Sequence, residues 1–199
     1  MFILFNILLL PFRFTFKSIF NLITIPLEII KIALNKRLRQ NHALEHATIN
    51  ILQEYYGKNR LLTGYAKEDG FYIRGPVNPN LIDEAARVGL SRLLAGESYL
   101  AIHEGCGTSI AAANFIFSVV FVVFLFRFGF FNLLNIILAM ILANMIGPFS
   151  GKLMQRYLTT SADVHNVEIV DIEYSHPQNV GIFIANIANM EFFVRTRIF

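Results

Sequence analysis

Charge is what this chain has least of. Only 16% of its 199 residues are Asp, Glu, Lys or Arg, and 55% are hydrophobic. An ordinary soluble domain is roughly a quarter charged, so the composition points to a membrane protein. The net charge is +3, yet no basic block with interleaved aromatics exists, which argues against a nucleic-acid partner. The Lys and Arg residues gather instead beside apolar segments, as in "LNKRLRQ" and "GKLMQR", the pattern of charge flanking a bilayer. Cysteine is nearly absent. Cys106 stands alone, so no internal disulfide can form and nothing signals an oxidising compartment. A cleaved signal peptide is not expected either, because Arg13 and Lys17 follow the first apolar run rather than precede it.

Two stretches lack charge altogether. Residues 109 to 126, "SIAAANFIFSVVFVVFLF", and residues 128 to 147, "FGFFNLLNIILAMILANMIG", each have the length of a membrane span, about 20 residues. A short connector with Arg127 and Gly129 separates them, which predicts a transmembrane helical hairpin. Within it Asn114, Asn132, Asn135 and Asn144 are expected to bond between helices, since an unpaired amide in hydrocarbon is costly. The N-terminal segment is apolar but broken by charge and by Pro26. Two half-length apolar segments predict an interfacial or re-entrant helix pair, with one tilted span as the alternative.

The expected architecture is an α-helical membrane protein with a small α+β cytoplasmic portion. Residues 1–35 form membrane-associated N-terminal helices, and 36–108 a cytoplasmic insert. The transmembrane hairpin occupies 109–147, and a C-terminal cytoplasmic segment 148–199. In the insert a helix ends at Gly57, "LLTGYAKEDGFYIRG" reads as a β-hairpin around "EDG", and "NPNLIDEAARVGLSRLLAGE" as a second helix. "YLAIHEGCGTS" reads as a short strand and turn, and "VEIVDIEYS" and "FFVRTRIF" as strands. Insert and tail share one side because two spans lie between them. Lys36, Arg37, Arg39, Lys152 and Arg156 flank that side, whereas Arg127 alone marks the other, so the positive-inside rule assigns insert and tail to the cytoplasm.

The chemistry centres on "RQNHALEHATINILQEYYG", residues 39 to 57. In a helix, residues four apart share a face, so His42 and His46 converge and their ring nitrogens can bind one metal ion. Glu45 sits on the neighbouring edge, placed to take a proton from water. The order H-x-x-E-H reverses the H-E-x-x-H zinc helix and matches the inverzincin motif. Neutral imidazoles leave zinc electrophilic, the metal acidifies water, and a carboxylate receives the proton. The bland alternative is a pair of helix-surface histidines beside an ordinary Glu. "AIHEGCGTSI" offers His103 and Cys106 as further ligands in a Gly-rich turn before a helix, whose N-terminus favours a thiolate. Two His and a Cys make a zinc or iron set. A loop histidine and a packing cysteine are the alternatives.

"HALEHATI", then "IHEGCGTS", two apolar spans and "QRYLTTSADVHNVEIV" together resemble the YqhQ family of bacterial integral membrane proteins, described as predicted metal-dependent enzymes. The chain reads as a member of an uncharacterised bacterial family similar to it. The positions that carry the resemblance are His42, Glu45, His46, Thr48, His103, Cys106, Gly107, Thr108, Ser109, Gln155, Thr159, Thr160 and Glu168. The resemblance implies a metal site and a place in the bacterial inner (cytoplasmic) membrane, but no substrate. Thr159, Thr160 and Glu168 follow the second span and are expected to support the ligands from behind, with Glu168 alternatively a ligand itself; a capping Thr pair and a strand-surface Glu are the bland alternative. His176, before Pro177, reads as a turn residue.

The expected function is a membrane-bound metal-dependent hydrolase, with peptidase the leading class. His42, His46 and one or both of His103 and Cys106 hold a divalent metal, zinc first, and Glu45 activates water. The expected substrate is a peptide or membrane protein, and the expected partner the lipid bilayer. Two alternatives stand beside it: a non-catalytic scaffold with a closed structural His/Cys site, and an enzyme with Cys106 as nucleophile and His103 or His46 as base.

Overall fold

The computed structural model describes residues 2–58, 62–128, 133–175 and 191–199. Among them the chain is mostly helical, with five α-helices and one antiparallel four-stranded sheet. It divides into two compact units. One joins Met1–Lys31 to Gly107–Met154, and the other joins Ile32–Cys106 to Gln155–Phe199.

The first unit holds most of α1 (Phe2–Leu34) with α4 (Gly107–Phe128) and α5 (Leu133–Met154). Both α4 and α5 are long and apolar enough to cross a membrane. They pair antiparallel through small residues. A Cβ added to Gly147 would lie 2.5 Å from the Ala113 Cβ, and one added to Gly151 would lie 2.5 Å from the Ser109 Cα. This is a G-x-x-x-G face on α5 against a small-residue face on α4, the packing that lets helix backbones approach where no hydrophobic effect drives them together. Deeper in the unit Phe121, Ile136 and Ala139 form a buried cluster, and Phe14 of α1 rests against Phe117 with ring centroids 5.7 Å apart.

Two expectations need correction here. The N-terminal segment is one continuous helix, not a pair. Pro26 costs it a backbone hydrogen bond without ending it, as is tolerated in apolar helices where neighbouring groups re-satisfy the freed backbone. Asn144 does not reach across the hairpin. Its Nδ2 donates to the Met140 carbonyl one turn back, at 2.8 Å. An interhelical polar contact runs instead from Asn21 Nδ2 to Ser118 Oγ, at 3.3 Å. Asn132, Gly129 and His176 lie outside the described residues.

The second unit is built around α2 (Lys36–Tyr56), which starts where the Asn35 side chain accepts from the Leu38 N–H and ends at Gly57 with φ +80°. Eleven of its residues are buried, polar ones included. The hairpin strands β1 (Thr63–Lys67) and β2 (Gly70–Arg74), helix α3 (Pro79–Leu94) and the C-terminal strands β3 (Val167–Ser175) and β4 (Glu191–Ile198) belong to the same unit. The sheet order is β1-β2-β4-β3, so the hairpin of the 36–108 segment and the strands of the tail form one sheet.

Buried polar side chains of α2 tie these pieces down. Gln40 Nε2 donates to the Asp163 carbonyl at 2.6 Å and to Asn166 Oδ1 at 2.7 Å. Asn41 Nδ2 donates to the Lys67 and Glu68 carbonyls, while Thr196 Oγ1 donates to Asn41 Oδ1. Between them lies an apolar core that includes Leu44, Ile51, Phe71, Ile82 and Val194. The short strand expected in "YLAIHEGCGTS", residues 99–109, is absent among the described residues, and a 3-10 turn, Ser98–Ala101, stands at its start. Its carbonyls bond to α2 rather than to a strand: Asn50 Nδ2 donates to the Leu100 and Ile102 carbonyls. A single π-helical turn, Gln155–Thr159, follows α5.

Candidate metal centre

His42, Glu45 and His46 of α2 and Cys106 of the turn before α4 supply the site, and all of them lie in the second unit. His42 and His46 lie on one face of α2 with ring centroids 4.3 Å apart and ring planes tilted by 60°. The His42 Nδ1 lies 2.9 Å from the Thr159 carbonyl, and the His46 Nδ1 lies 2.8 Å from the Ala101 carbonyl. A carbonyl only accepts, so each Nδ1 carries the proton and each Nε2 keeps its lone pair. Both tautomers are thus set from behind by backbone, as for metal-binding imidazoles. The π turn and the 3-10 turn are the elements that supply these carbonyls. The π turn is itself pinned: Thr160 donates N–H and Oγ1 to the Gln155 carbonyl, and the Arg39 guanidinium donates to the Thr160 and Tyr157 carbonyls.

The freed nitrogens meet the thiol of Cys106. Ligand atoms of His42, His46 and Cys106 all lie within 4.8 Å of one another. Cys106 Sγ is 3.4 Å from His42 Nε2. Two donors held tetrahedrally by zinc at about 2.1 and 2.3 Å stand about 3.6 Å apart, so this spacing needs little adjustment. The His46 Nε2 is fully buried and has no hydrogen-bond partner among the described residues. Such a group costs free energy in a folded core unless a cation engages it. The donor set and this orphaned nitrogen fit a divalent metal.

Burial tunes the charges. Desolvation lowers the pKa of His42, outweighing the Thr159 bond that raises it. Desolvation, then the His42 charge, holds His46 far below the usual imidazole value. Both rings are therefore neutral and ready to ligate at physiological pH. Glu45 Oε2 is 3.9 Å from His42 Nε2. Burial pushes its carboxyl up to about 8. A metal cation beside it would bring that value down again.

The other expected site residues fall in different places. His103 stands outside the three-donor group. Its ring is 5.9 Å from that of His46 by centroids, its Nδ1 meets Asn50 Oδ1 at 3.2 Å, and its N–H donates to Gln155 Oε1 at 2.8 Å. Thr159 meets His42 Nδ1 through its main-chain carbonyl, and Thr160 supports it one step further out. Glu168 is exposed on β3, on the face opposite the buried Val167 and Ile169, and pairs in register with Arg197.

Sequence reasoning missed three participants. Asn50 continues the i, i+4 stripe of His42 and His46, so spacing alone could have flagged it. Ala101 carries no side-chain signal, because its carbonyl does the work. Gly64 of β1 lies directly against Glu45: a Cβ there would sit 2.6 Å from Glu45 Oε1 and 2.6 Å from the Tyr72 carbonyl.

The model of the family described as a domain of unknown function, DUF6391, matches residues 37–172, more than half of the chain. The chain belongs to this family. The match takes in α2, the Cys106 turn, both apolar helices, the π turn and most of β3. An uncharacterized protein of Picosynechococcus sp. (strain ATCC 27264 / PCC 7002 / PR-6) is 36% identical over 85 residues, covering 37% of this chain and 40% of that protein. The chain thus spans well under half of that relative's length. No solved structure matches. These matches support an uncharacterised family and lend none to the YqhQ resemblance.

Proposed function

We propose that this DUF6391 protein is a membrane-bound metal-dependent hydrolase, with peptidase the leading class. The observation that carries the reading is the inward convergence of two Nε2 lone pairs and one thiol, with a buried carboxyl 3.9 Å away. His42, His46 and Cys106 would hold a divalent metal, zinc first by donor softness. Bound there, it supplies Lewis acidity toward a water or a substrate oxygen. Three protein donors leave a position open, as a catalytic rather than a structural site requires.

The chain's own residues do the rest. The Thr159 and Ala101 carbonyls keep both imidazoles in the ligating tautomer. Hydrolysis of an amide breaks one C–N bond; water gives its oxygen to the carbonyl carbon and a proton to the leaving nitrogen. Glu45 is the group placed to carry that proton. In the same reading α4 and α5 span the bacterial inner membrane, and the second unit lies on its cytoplasmic side, following the Lys and Arg asymmetry.

Metal analysis of purified full-length protein tests the reading. Wild type and Glu45→Gln should each carry about one equivalent of metal, and His42→Ala and His46→Ala none. Wild type free of metal after growth and dialysis in zinc would refute it. The 3.4 Å contact between Cys106 Sγ and His42 Nε2 also suits a second reading, a Cys106 nucleophile with His42 as base. Alkylation separates the two. Metal that shields Cys106 from iodoacetamide supports ligation, whereas metal-independent, rapid alkylation near neutral pH supports the nucleophile.

A further inference from the structure

The α2 face that carries His42 and His46 continues into a cleft of about 570 Å³. Asn50 and Gln53 form its floor. Leu62 and Thr63, leading into β1, line one side, and the turn from Ile102 to Gly105 lines the other. His103 stands in the wall, one helical turn from His46 through its contact with Asn50. Polar side chains (Asn50, Gln53, Lys58 and His103) share the lining with the apolar Leu62 and Ile102.

Thr63, the first residue of β1, brings the sheet to this cleft. β1 pairs only with β2 among the described residues, so its outer row of backbone N–H and C=O groups has no strand beside it there. Its side chains alternate: Thr63, Tyr65 and Lys67 are exposed, and Gly64 and Ala66 are half-buried. Gly64 is the residue that touches Glu45. Gly64 directly follows Thr63 of the cleft lining, so β1 runs from the cleft to the Glu45 carboxyl. An edge of this kind binds an added strand through main-chain hydrogen bonds, with alternate side chains in pockets.

We propose that the substrate is an extended, unfolded polypeptide segment, held by its backbone along the outer edge of β1 and lying in the cleft between β1 and the Ile102–Gly105 turn. This rests on the hydrolase reading and adds to it the class of substrate and its mode of binding. Recognition through backbone predicts broad sequence tolerance and a requirement that the chain be unfolded. A folded protein has most of its backbone groups already paired and offers such an edge little to bond.

Residue-resolved hydrogen exchange tests the idea on full-length Glu45→Gln protein in detergent micelles, where binding is read without turnover. The probe is a tryptic digest of reduced, alkylated serum albumin; native albumin is the comparison. In a strand every second N–H points to the outer edge. The digest should slow exchange about tenfold or more at alternate residues of Thr63–Lys67 and in the Ile102–Gly105 turn, while native albumin should not. No protection in β1, equal protection by native albumin, or protection confined to other elements would overturn the proposal. The hydrolase reading would survive that result if His42, His46 and Cys106 still took up zinc. Protection of β1 in a chain that takes up no metal would sink the hydrolase reading and leave the docking edge standing.

Discussion

Replacing Glu45 with Gln should change how the metal-free protein responds to pH, with a sign and size set by burial. An ordinary glutamate titrates near 4.5, and desolvation pushes Glu45 up to about 8. Below 4.5 the carboxyl is protonated in folded and unfolded chains alike. As pH rises from there, the unfolded chain releases a proton that the folded chain keeps. Stability conferred by the protonated carboxyl is therefore full below 4.5 and lost as pH rises through 8. At 1.36 kcal/mol per pH unit the whole loss is about 4–5 kcal/mol, an upper figure because the core can relax. The lowered histidines work the other way, since they favour stability rising with pH toward their ordinary value of 6.5. The Glu45 contribution is thus read as a difference. Gln has nearly the same shape and no charge. Glu45→Gln should therefore match wild type at pH 4.5 and exceed it by several kcal/mol at pH 8.5, both in chelator. Urea unfolding of full-length protein in micelles, followed by tyrosine fluorescence, measures this. Zinc should narrow the gap, because a cation favours the ionised carboxylate. Parallel wild-type and Glu45→Gln curves from pH 4.5 to 8.5 would show that Glu45 is not desolvated, and the account of the site would fail with it.

Gly64→Ala places a methyl 2.6 Å from both Glu45 Oε1 and the Tyr72 carbonyl. It should cost about 1–3 kcal/mol of stability and displace the carboxyl while leaving zinc uptake intact; loss of zinc with stability unchanged would contradict this. Gly151→Ala meets Ser109 backbone at 2.5 Å and should lower the thermal midpoint in micelles, whereas Phe149→Ala, at an exposed position, should barely move it; the reverse order would refute the G-x-x-x-G packing. Cysteines introduced at Val122 or Ile137 should resist aqueous maleimide in membranes, and ready labelling would show that α4 and α5 do not span. A reporter fused after Phe199 should be active in the cytoplasm, and activity only outside would reverse the proposed topology.

Periodicity and composition were enough for most local elements, though not for the single N-terminal helix or the 3-10 turn Ser98–Ala101. Charge-free runs marked α4 and α5, because a helix long and apolar enough to cross a membrane has no polar face. The 167–175 strand, the "EDG" hairpin and the helix ending at Gly57 were also legible, since turn chemistry and alternation are written in consecutive residues. So was the convergence of His42 and His46, which helix geometry dictates at spacing four. What tertiary structure decided is which distant pieces meet. No local signal says that the tail strands complete the hairpin's sheet. That pairing depends on Asn41 and Gln40 of α2 bonding segments more than a hundred residues away. The selection of Cys106 over His103 for the three-donor group turns on where Asn50 and Gln155 hold the turn. The atoms that aim the imidazoles are main-chain carbonyls of Thr159 and Ala101, groups every residue possesses, so their role is fixed by backbone position and leaves no mark in the sequence.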